Sequence, residues 1–362
     1  MRAYTPVVKA KASDLTALSL LSQRAKNNIK PLIEVAVSVD SGSVRTDIAS
    51  ATALLKSRPL DIPYYFDPLG IESHGRQIAA FESLTESGCS FTPVIGLGRG
   101  AIDTETLRKL LSTHRLGVGI RLELQDLEDA ADDTWEQIIQ LSSDLEVATS
   151  DIELLIDYKQ IDHHSIDTLK ETTLDFLALQ PSTFQCGGIT LIGSSALSSV
   201  AAIEPDGMAR IKRRELLLWT TVDYELDGVR DIGFGDHGII CPDFVFSGPN
   251  PNANAKIRYT HGAQTIYFRG HGLFLPSRFE QYHDLAQRVV DSEFYLGRDF
   301  SFGDETIQLC ASKQAGTGNL ATWVKADTNH HIELVAQQTA DIGAHIRHLS
   351  SESQIREMIE AL

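Results

Sequence analysis

Lys9, Glu34, Asp67, Glu123, Asp157 and Asp236 have one thing in common: each is the charged residue at the end of a short, otherwise apolar run. Arg121 lies just inside the run that ends at Glu123. Carboxylates gathered in one place can hold Mg²⁺ or Mn²⁺ through oxygen. They can also divide acid and base roles between them when proximity drives their pKa values apart. On this reading Glu34, Asp67, Glu123 and Asp157 are candidate metal ligands, and Lys9 and Arg121 stabilise phosphoryl charge. The reaction would be a metal-assisted hydrolysis of a phosphate ester. Taken singly, each residue is equally well explained as a solvated strand end or an ion pair; the recurrence along the chain argues for a site. A Schiff base on Lys9, as in a lyase or isomerase, fits less well, because carboxylate neighbours raise an amine pKa that such chemistry needs lowered.

Two turns follow the last of these runs. Gly193-Ser194-Ser195-Ala196 and Gly233-Phe234-Gly235-Asp236-His237-Gly238 carry small residues that would let backbone N–H groups approach a phosphate. Ser194, Ser195 and Asp236 are therefore candidate substrate contacts. Ser195 is not set in the strained G-x-S-x-G turn of a nucleophile. Further on, Gly316 to His331 joins a glycine-bearing start to a single tryptophan. This segment reads as a lid, with Trp323 on the pocket wall and Thr328 capping a helix that His330 and His331 open. There the helix dipole would lower the His331 pKa and suit it to proton exchange.

The elements that must position these residues follow from spacing. The runs end at positions 9, 34, 67, 98, 123, 157, 195 and 236, and most are continuously apolar, as in parallel strands buried on both faces. Their separation, about 32 residues on average, is close to one βα unit. Helical patterns fill the gaps at 13–26, 103–113 and 134–145. Eight such units predict a (β/α)₈ TIM-type barrel over 1–240, with chemistry at the C-terminal strand ends. An open doubly wound sheet would share the alternation, but no G-x-G-x-x-G follows the first strand. Residues 241–362 read as an α+β extension: a hairpin over 256–268, helices over 278–293, 328–338 and 352–361, and a loop over 247–255. The extension would supply the last barrel helix and a cap. Arg210-Ile-Lys-Arg-Arg214 reads as a solvated helix face.

Composition narrows the class. The 362 residues are 42 % hydrophobic and 22 % charged, an ordinary globular balance. With 32 Lys and Arg against 49 Asp and Glu, the net charge of −17 disfavours non-specific nucleic-acid or anionic-membrane binding. No apolar run is long enough to span a bilayer, and the N-terminus lacks a signal-peptide core. The four cysteines are scattered, which argues against structural zinc and for a reduced, cytoplasmic protein.

Three blocks together carry a resemblance: Tyr4-x-Pro-Val-x-Lys-x-Lys11, Pro31-Leu-Ile-Glu34, and Gly318-Asn-x-x-x-Trp323 leading to His330-His331-Ile-x-x-Val335. The chain resembles the beta protein family, named for a T-even bacteriophage protein and found in phages, prophages and bacterial mobile islands. The resemblance implies a role in phage–host conflict, as antiphage defence or counter-defence. It supplies no reaction and no catalytic residues. The expected partner is a small phosphorylated ligand or a protein. A non-catalytic sensor or scaffold, binding a phage protein or partner effector, is the competing reading.

Overall fold

In the computed structural model, residues 4–40, 43–69, 74–97, 103–128, 131–226, 229–243, 253–274, 278–346, 348–349 and 351–361 are described. Eight parallel strands close into a barrel: β1 (Thr5–Lys9), β2 (Leu32–Glu34), β3 (Tyr64–Asp67), β4 (Phe91–Gly96), β5 (Val118–Glu123), β6 (Ile152–Gln160), β7 (Gly188–Ser194) and β8 (Ile232–Asp236). They neighbour one another in sequence order, and β1 pairs with β8 to complete the circle. These are the eight runs read from the sequence. Position 98 and most of the 247–255 loop lie outside the described residues.

Alternation along each strand sorts the side chains into two sets. Val7, Leu32, Tyr65, Val94, Leu155 and Ile192 point inward and fill the barrel as a packed plug. Each aliphatic member adds about 1.5–3 kcal/mol by leaving water. Gly235 shows how tight that interior is, since a Cβ there would stand 2.7 Å from Ile192 Cγ1 and 2.9 Å from the Thr5 carbonyl. Outward residues such as Val8, Ile33, Phe66, Ile95, Ile120, Leu154, Leu191 and Phe234 form the main core with the surrounding helices.

The periodic segments become helices with the caps their sequences announce. Asp103 caps Thr104–His114 by accepting from the Thr106 amide, and Ser165 caps Ile166–Ala178 in the same way. The stretch read as one helix over 13–26 is two, Ala12–Ser19 and Gln23–Asn27, separated by Ser22, which caps the second. A small hairpin, Val37–Asp40 with Ser43–Thr46, intervenes after β2 and was not foreseen.

The extension interlocks with the barrel. The hairpin Asn254–His261 and Gln264–Gly272 is joined by a third strand, Met208–Lys212, which belongs to the excursion after β7. Arg210–Arg214 is therefore no solvated helix face: Arg210 and Lys212 sit on an edge strand, and Arg213 is buried. The long helix Leu320–Ile346 packs its second half into the barrel core through Ile332, Val335, Ala336, Ile342 and Ile346. Its first half enters a separate core in the extension. It is the last barrel helix, and no described helix is long and apolar enough to cross a membrane.

Candidate active site

β2, β3, β5 and β6 deliver Glu34, Asp67, Arg121 and Asp157 to the C-terminal mouth of the barrel: Glu34 pairs with Asp67 across β2 and β3, and Arg121 pairs with Leu155, two residues before Asp157. Arg121 stands at the centre, fully buried. Its Nη1 donates to Glu34 Oε2 at 2.8 Å and Asp67 Oδ2 at 2.7 Å, while Nε donates to Asp157 Oδ2 at 3.0 Å and Nη2 bonds the same oxygen. Lys9 bonds Glu34, and Lys159 approaches Asp157 Oδ2 at 3.0 Å. His237 completes the group, with Nε2 2.9 Å from Asp157 Oδ1.

Three carboxylates, three permanent cations and one imidazole thus meet in a closed pattern. Burial pushes the Glu34 and Asp157 carboxyls upward, but the cations around them prevail. Lys9, Arg121 and His237 hold Glu34 well below its ordinary value, and Lys159, His237 and Arg121 do the same for Asp157. The guanidinium is correspondingly held charged, since the three carboxylates outweigh its desolvation.

This geometry overturns the metal-ligand set. The place where Glu34, Asp67 and Asp157 converge is filled by a guanidinium that consumes their oxygens. Glu123 stands apart, partly exposed, 3.8 Å from Lys159. Among the described residues no group of three or more His, Cys, Asp or Glu side chains is placed to hold a metal ion. The residues present do not fit Mg²⁺ or Mn²⁺.

A local device recurs at the strand ends. Asp67, Asp157 and Asp236 each accept, through Oδ1, the backbone N–H two residues on: Leu69 at 2.8 Å, Lys159 at 2.9 Å and Gly238 at 2.9 Å. Each acceptor turn ends in a left-handed residue, with φ of 61°, 54° and 59°. The turn thereby fixes each carboxylate and bends the chain off the strand. In the second case it also aims Lys159 back at Asp157.

Asp236 is not in the mouth. It shares the outward face of β8 with Phe234, which stacks on Tyr4 with ring centroids 5.7 Å apart. Its oxygens accept from Tyr4 Oη at 2.6 Å, Arg213 Nη2 at 3.2 Å and His331 Nε2 at 3.1 Å. Burial would raise this carboxyl, but the His331 and Tyr4 hydrogen bonds and the Arg213 charge hold it well below the usual range. Ser195 faces the same outer layer and donates to Glu215 Oε2 at 2.7 Å. Burial, with Asp236 nearby and against the pull of Arg213, pushes Glu215 up to about 7. The Ser194 hydroxyl accepts the Ala196 N–H, closing the turn after β7.

The lid reading is also corrected. Thr328, His330 and His331 lie in the middle of Leu320–Ile346, so Thr328 caps nothing and no helix dipole acts on the histidines. Burial, not the dipole, holds the His331 imidazole below its ordinary pKa, with Asp236 opposing. Its Nδ1 lies 2.7 Å from Thr260 Oγ1, and it is locked against the barrel wall rather than set in a pocket. Trp323 is 2 % exposed within the extension core.

Lys159 and His237 were missed as mouth residues. His237 is the next residue after Asp236 and Lys159 the second after Asp157, both aspartates already singled out, and only the turn geometry reveals which way they face. Beside the mouth, Lys9, Asp14 and His237 line a cavity of about 20 Å³, room for one water.

An eight-stranded parallel barrel with an arginine-centred ion cluster at its C-terminal mouth is the class of protein that fold and site define. A sequence model of the Beta protein family matches residues 4–337, and the chain belongs to that family. No curated protein matches it. Solved structures similar to it include a mandelate racemase/muconate lactonizing protein from Herpetosiphon aurantiacus, at 11 % identity and a TM-score of 0.37 over 75 % of this chain and 63 % of that one. A putative mandelate racemase/muconate lactonizing enzyme from Sorangium cellulosum has 12 % identity and a TM-score of 0.37, over 75 % of this chain and 62 % of that one. A 3-hexulose-6-phosphate synthase has 10 % identity and a TM-score of 0.35, over 66 % of this chain and 91 % of that one. The chain spans just under two thirds of the length of the first two.

Proposed function

We propose that the barrel mouth binds a small phosphorylated ligand and hydrolyses its phosphate ester by proton transfer on His237, with no metal ion in the step. The observation that carries this reading is the Asp157 carboxylate, whose Oδ2 is taken by Arg121 and the Lys159 ammonium while Oδ1, fixed by the Lys159 N–H, meets His237 Nε2 at 2.9 Å. A carboxylate held in that way fixes the ring and its tautomer, the role an orienting acid plays for a catalytic histidine. Among the described residues Nδ1 has no hydrogen-bond partner. It is the nitrogen available to take a proton from water as oxygen attacks phosphorus, and to return it to the departing alkoxide as the ester bond breaks. Lys9 and Lys159, the two cations of the cluster with open surface, would receive the phosphoryl charge.

The setting we propose is phage–bacterium conflict, as a defence or counter-defence component acting in the cytoplasm; family membership alone supports it. One observation favours a non-catalytic sensor or scaffold that binds a phage protein or effector. The Arg121 donors are spent on three carboxylates, which is how a purely structural cluster is built. Phosphate release from a panel of phosphomonoesters, phosphodiesters and nucleotides, measured in EDTA and with added Mn²⁺, separates the two. The enzyme reading expects turnover in EDTA that falls at least about 100-fold in His237→Ala with the fold intact. No turnover of any ester under either condition overturns it in favour of the scaffold.

A further inference from the structure

Asp236 and His237 are consecutive but face opposite sides of the barrel wall. Asp236 points outward into a clamp made by three separate parts of the chain: Tyr4 before β1, Arg213 after the edge strand, and His331 on the long helix. His237 points into the mouth and meets Asp157. Between them runs a single backbone turn, closed by the Gly238 N–H donating to Asp236 Oδ1 at 2.9 Å, with Gly238 at φ 59°. The direction in which His237 points is therefore set by where the Asp236 carboxylate is held.

We infer that Asp236 is a positioning residue for His237, and that the extension, through His331 on the outer side of the barrel wall, sets the geometry of the mouth. His331 is itself fixed from behind, its Nδ1 2.7 Å from Thr260 Oγ1 on the extension hairpin. A Cβ added at Gly238 would lie 3.6 Å from His331 Cδ2, so the ring stands beside the turn with room for one further carbon between them. The chain of contacts runs from Thr260 to His331, to Asp236, to the Gly238 amide and so to the His237 ring. A shift of about 1 Å in a reacting group is enough to cost two orders of magnitude in rate. The catalytic consequence rests on the reading of His237 as the proton-transfer group; the positional consequence does not.

Replacing Asp236 itself would strand the buried Arg213 and risk unfolding, so the decisive variant is Tyr4→Phe. It removes one hydrogen bond to Asp236 and keeps the ring that stacks on Phe234. Tyr295→Phe, which removes a hydroxyl bonded to the Asp304 carbonyl in the extension, is the control. The readout is the ¹⁵N and ¹H resonances of the His237 ring in the full-length protein, assigned by their loss in His237→Gln. The expected result is a displaced His237 Nε2 signal in Tyr4→Phe and an unchanged one in Tyr295→Phe. With a substrate in hand, kcat should fall about tenfold or more in Tyr4→Phe at unchanged KM. An unmoved His237 spectrum in folded Tyr4→Phe overturns the positioning role. A displaced spectrum in a protein that hydrolyses no ester upholds the positioning role and defeats the proposed reaction alone.

Discussion

Arg121 and Glu34 lie 87 residues apart in the chain, on barrel strands separated by β3 and β4, yet Arg121 Nη1 donates to Glu34 Oε2 at 2.8 Å. The bond spans the barrel interior above the apolar plug, and with Asp67 and Asp157 it makes the guanidinium the hub of the mouth. Such a hub is costly to form and more costly to break. Removing one member leaves the others buried without compensation, whereas the intact set satisfies itself.

Arg121→Met should therefore lose about 3–5 kcal/mol in urea unfolding, since three buried carboxylates then share only Lys9, Lys159 and His237. A loss under about 1 kcal/mol would mean that the carboxylates find other partners.

Glu34→Gln and Asp157→Asn separate carboxylates that repel one another from carboxylates held by cations. Carboxylates crowded with no counter-ion would repel, and neutralising one would leave the melting temperature equal or higher. Here each carboxylate is held charged by cations, and an amide would turn an N–H toward Lys9 or Arg121. Both variants should melt lower than the parent; calorimetry that finds either one higher would restore the crowded-carboxylate picture.

Stability should have an acid limb assigned to these groups. Glu34, Asp157 and Asp236 titrate lower in the folded chain than in the unfolded one. The unfolded chain thus binds protons first as pH falls, and the stability these groups contribute, complete above about pH 5, drains away from about pH 4 downward. Melting temperatures measured from pH 7 to pH 3 should show this fall, with a shallower one in Asp157→Asn.

Glu215 works in the opposite direction. Burial raises it to about 7, so between about pH 4.5 and 7 the folded state binds the proton more tightly than the unfolded state. Stability from this group is lost as pH rises through that window. Glu215→Gln, which keeps an acceptor for the Ser195 hydroxyl, should raise the melting temperature at pH 8 and change it little at pH 5. Equal shifts at both pH values would rule out a titrating Glu215.

What the sequence disclosed and what it withheld have a common physical origin. Strand position is written in local apolar runs, so all eight barrel strands were legible, and with them the end of the barrel at which Glu34, Asp67, Arg121 and Asp157 meet. The direction of a side chain just beyond a strand is not local. Asp157 and Asp236 look alike in sequence, each a strand-end aspartate, but the first ends an inward position and the second an outward one. The turn that follows then sends Lys159 and His237 into the mouth. Arg213 was hidden for a related reason: a basic run reads as solvated until a distant carboxylate, Asp236, is folded against it.

Trp323 gives the clearest contrast between a lid and a core residue. Its ring lies parallel to Tyr282, with centroids 4.5 Å apart and planes 7° from parallel, and its indole N–H donates to the Thr317 carbonyl at 2.9 Å. It is packed in the extension core with Leu285, Val289 and Cys310, and the hydrogen bond ties down the glycine-bearing segment that a hinge would need free. Gly318, at φ 60°, lies against Thr322, where the helix Leu320–Ile346 begins; this places the glycine in a helix-start turn rather than a hinge. Trp323→Ala should therefore cost about 3–5 kcal/mol, the range for truncating a large core side chain. Activity in the surviving folded fraction should be close to that of the parent, since the tryptophan touches neither Asp157 nor His237. Urea unfolding with activity corrected for folded protein checks both statements. A loss of function at a melting temperature only a few degrees lower would return Trp323 to the mouth and overturn its assignment to the core.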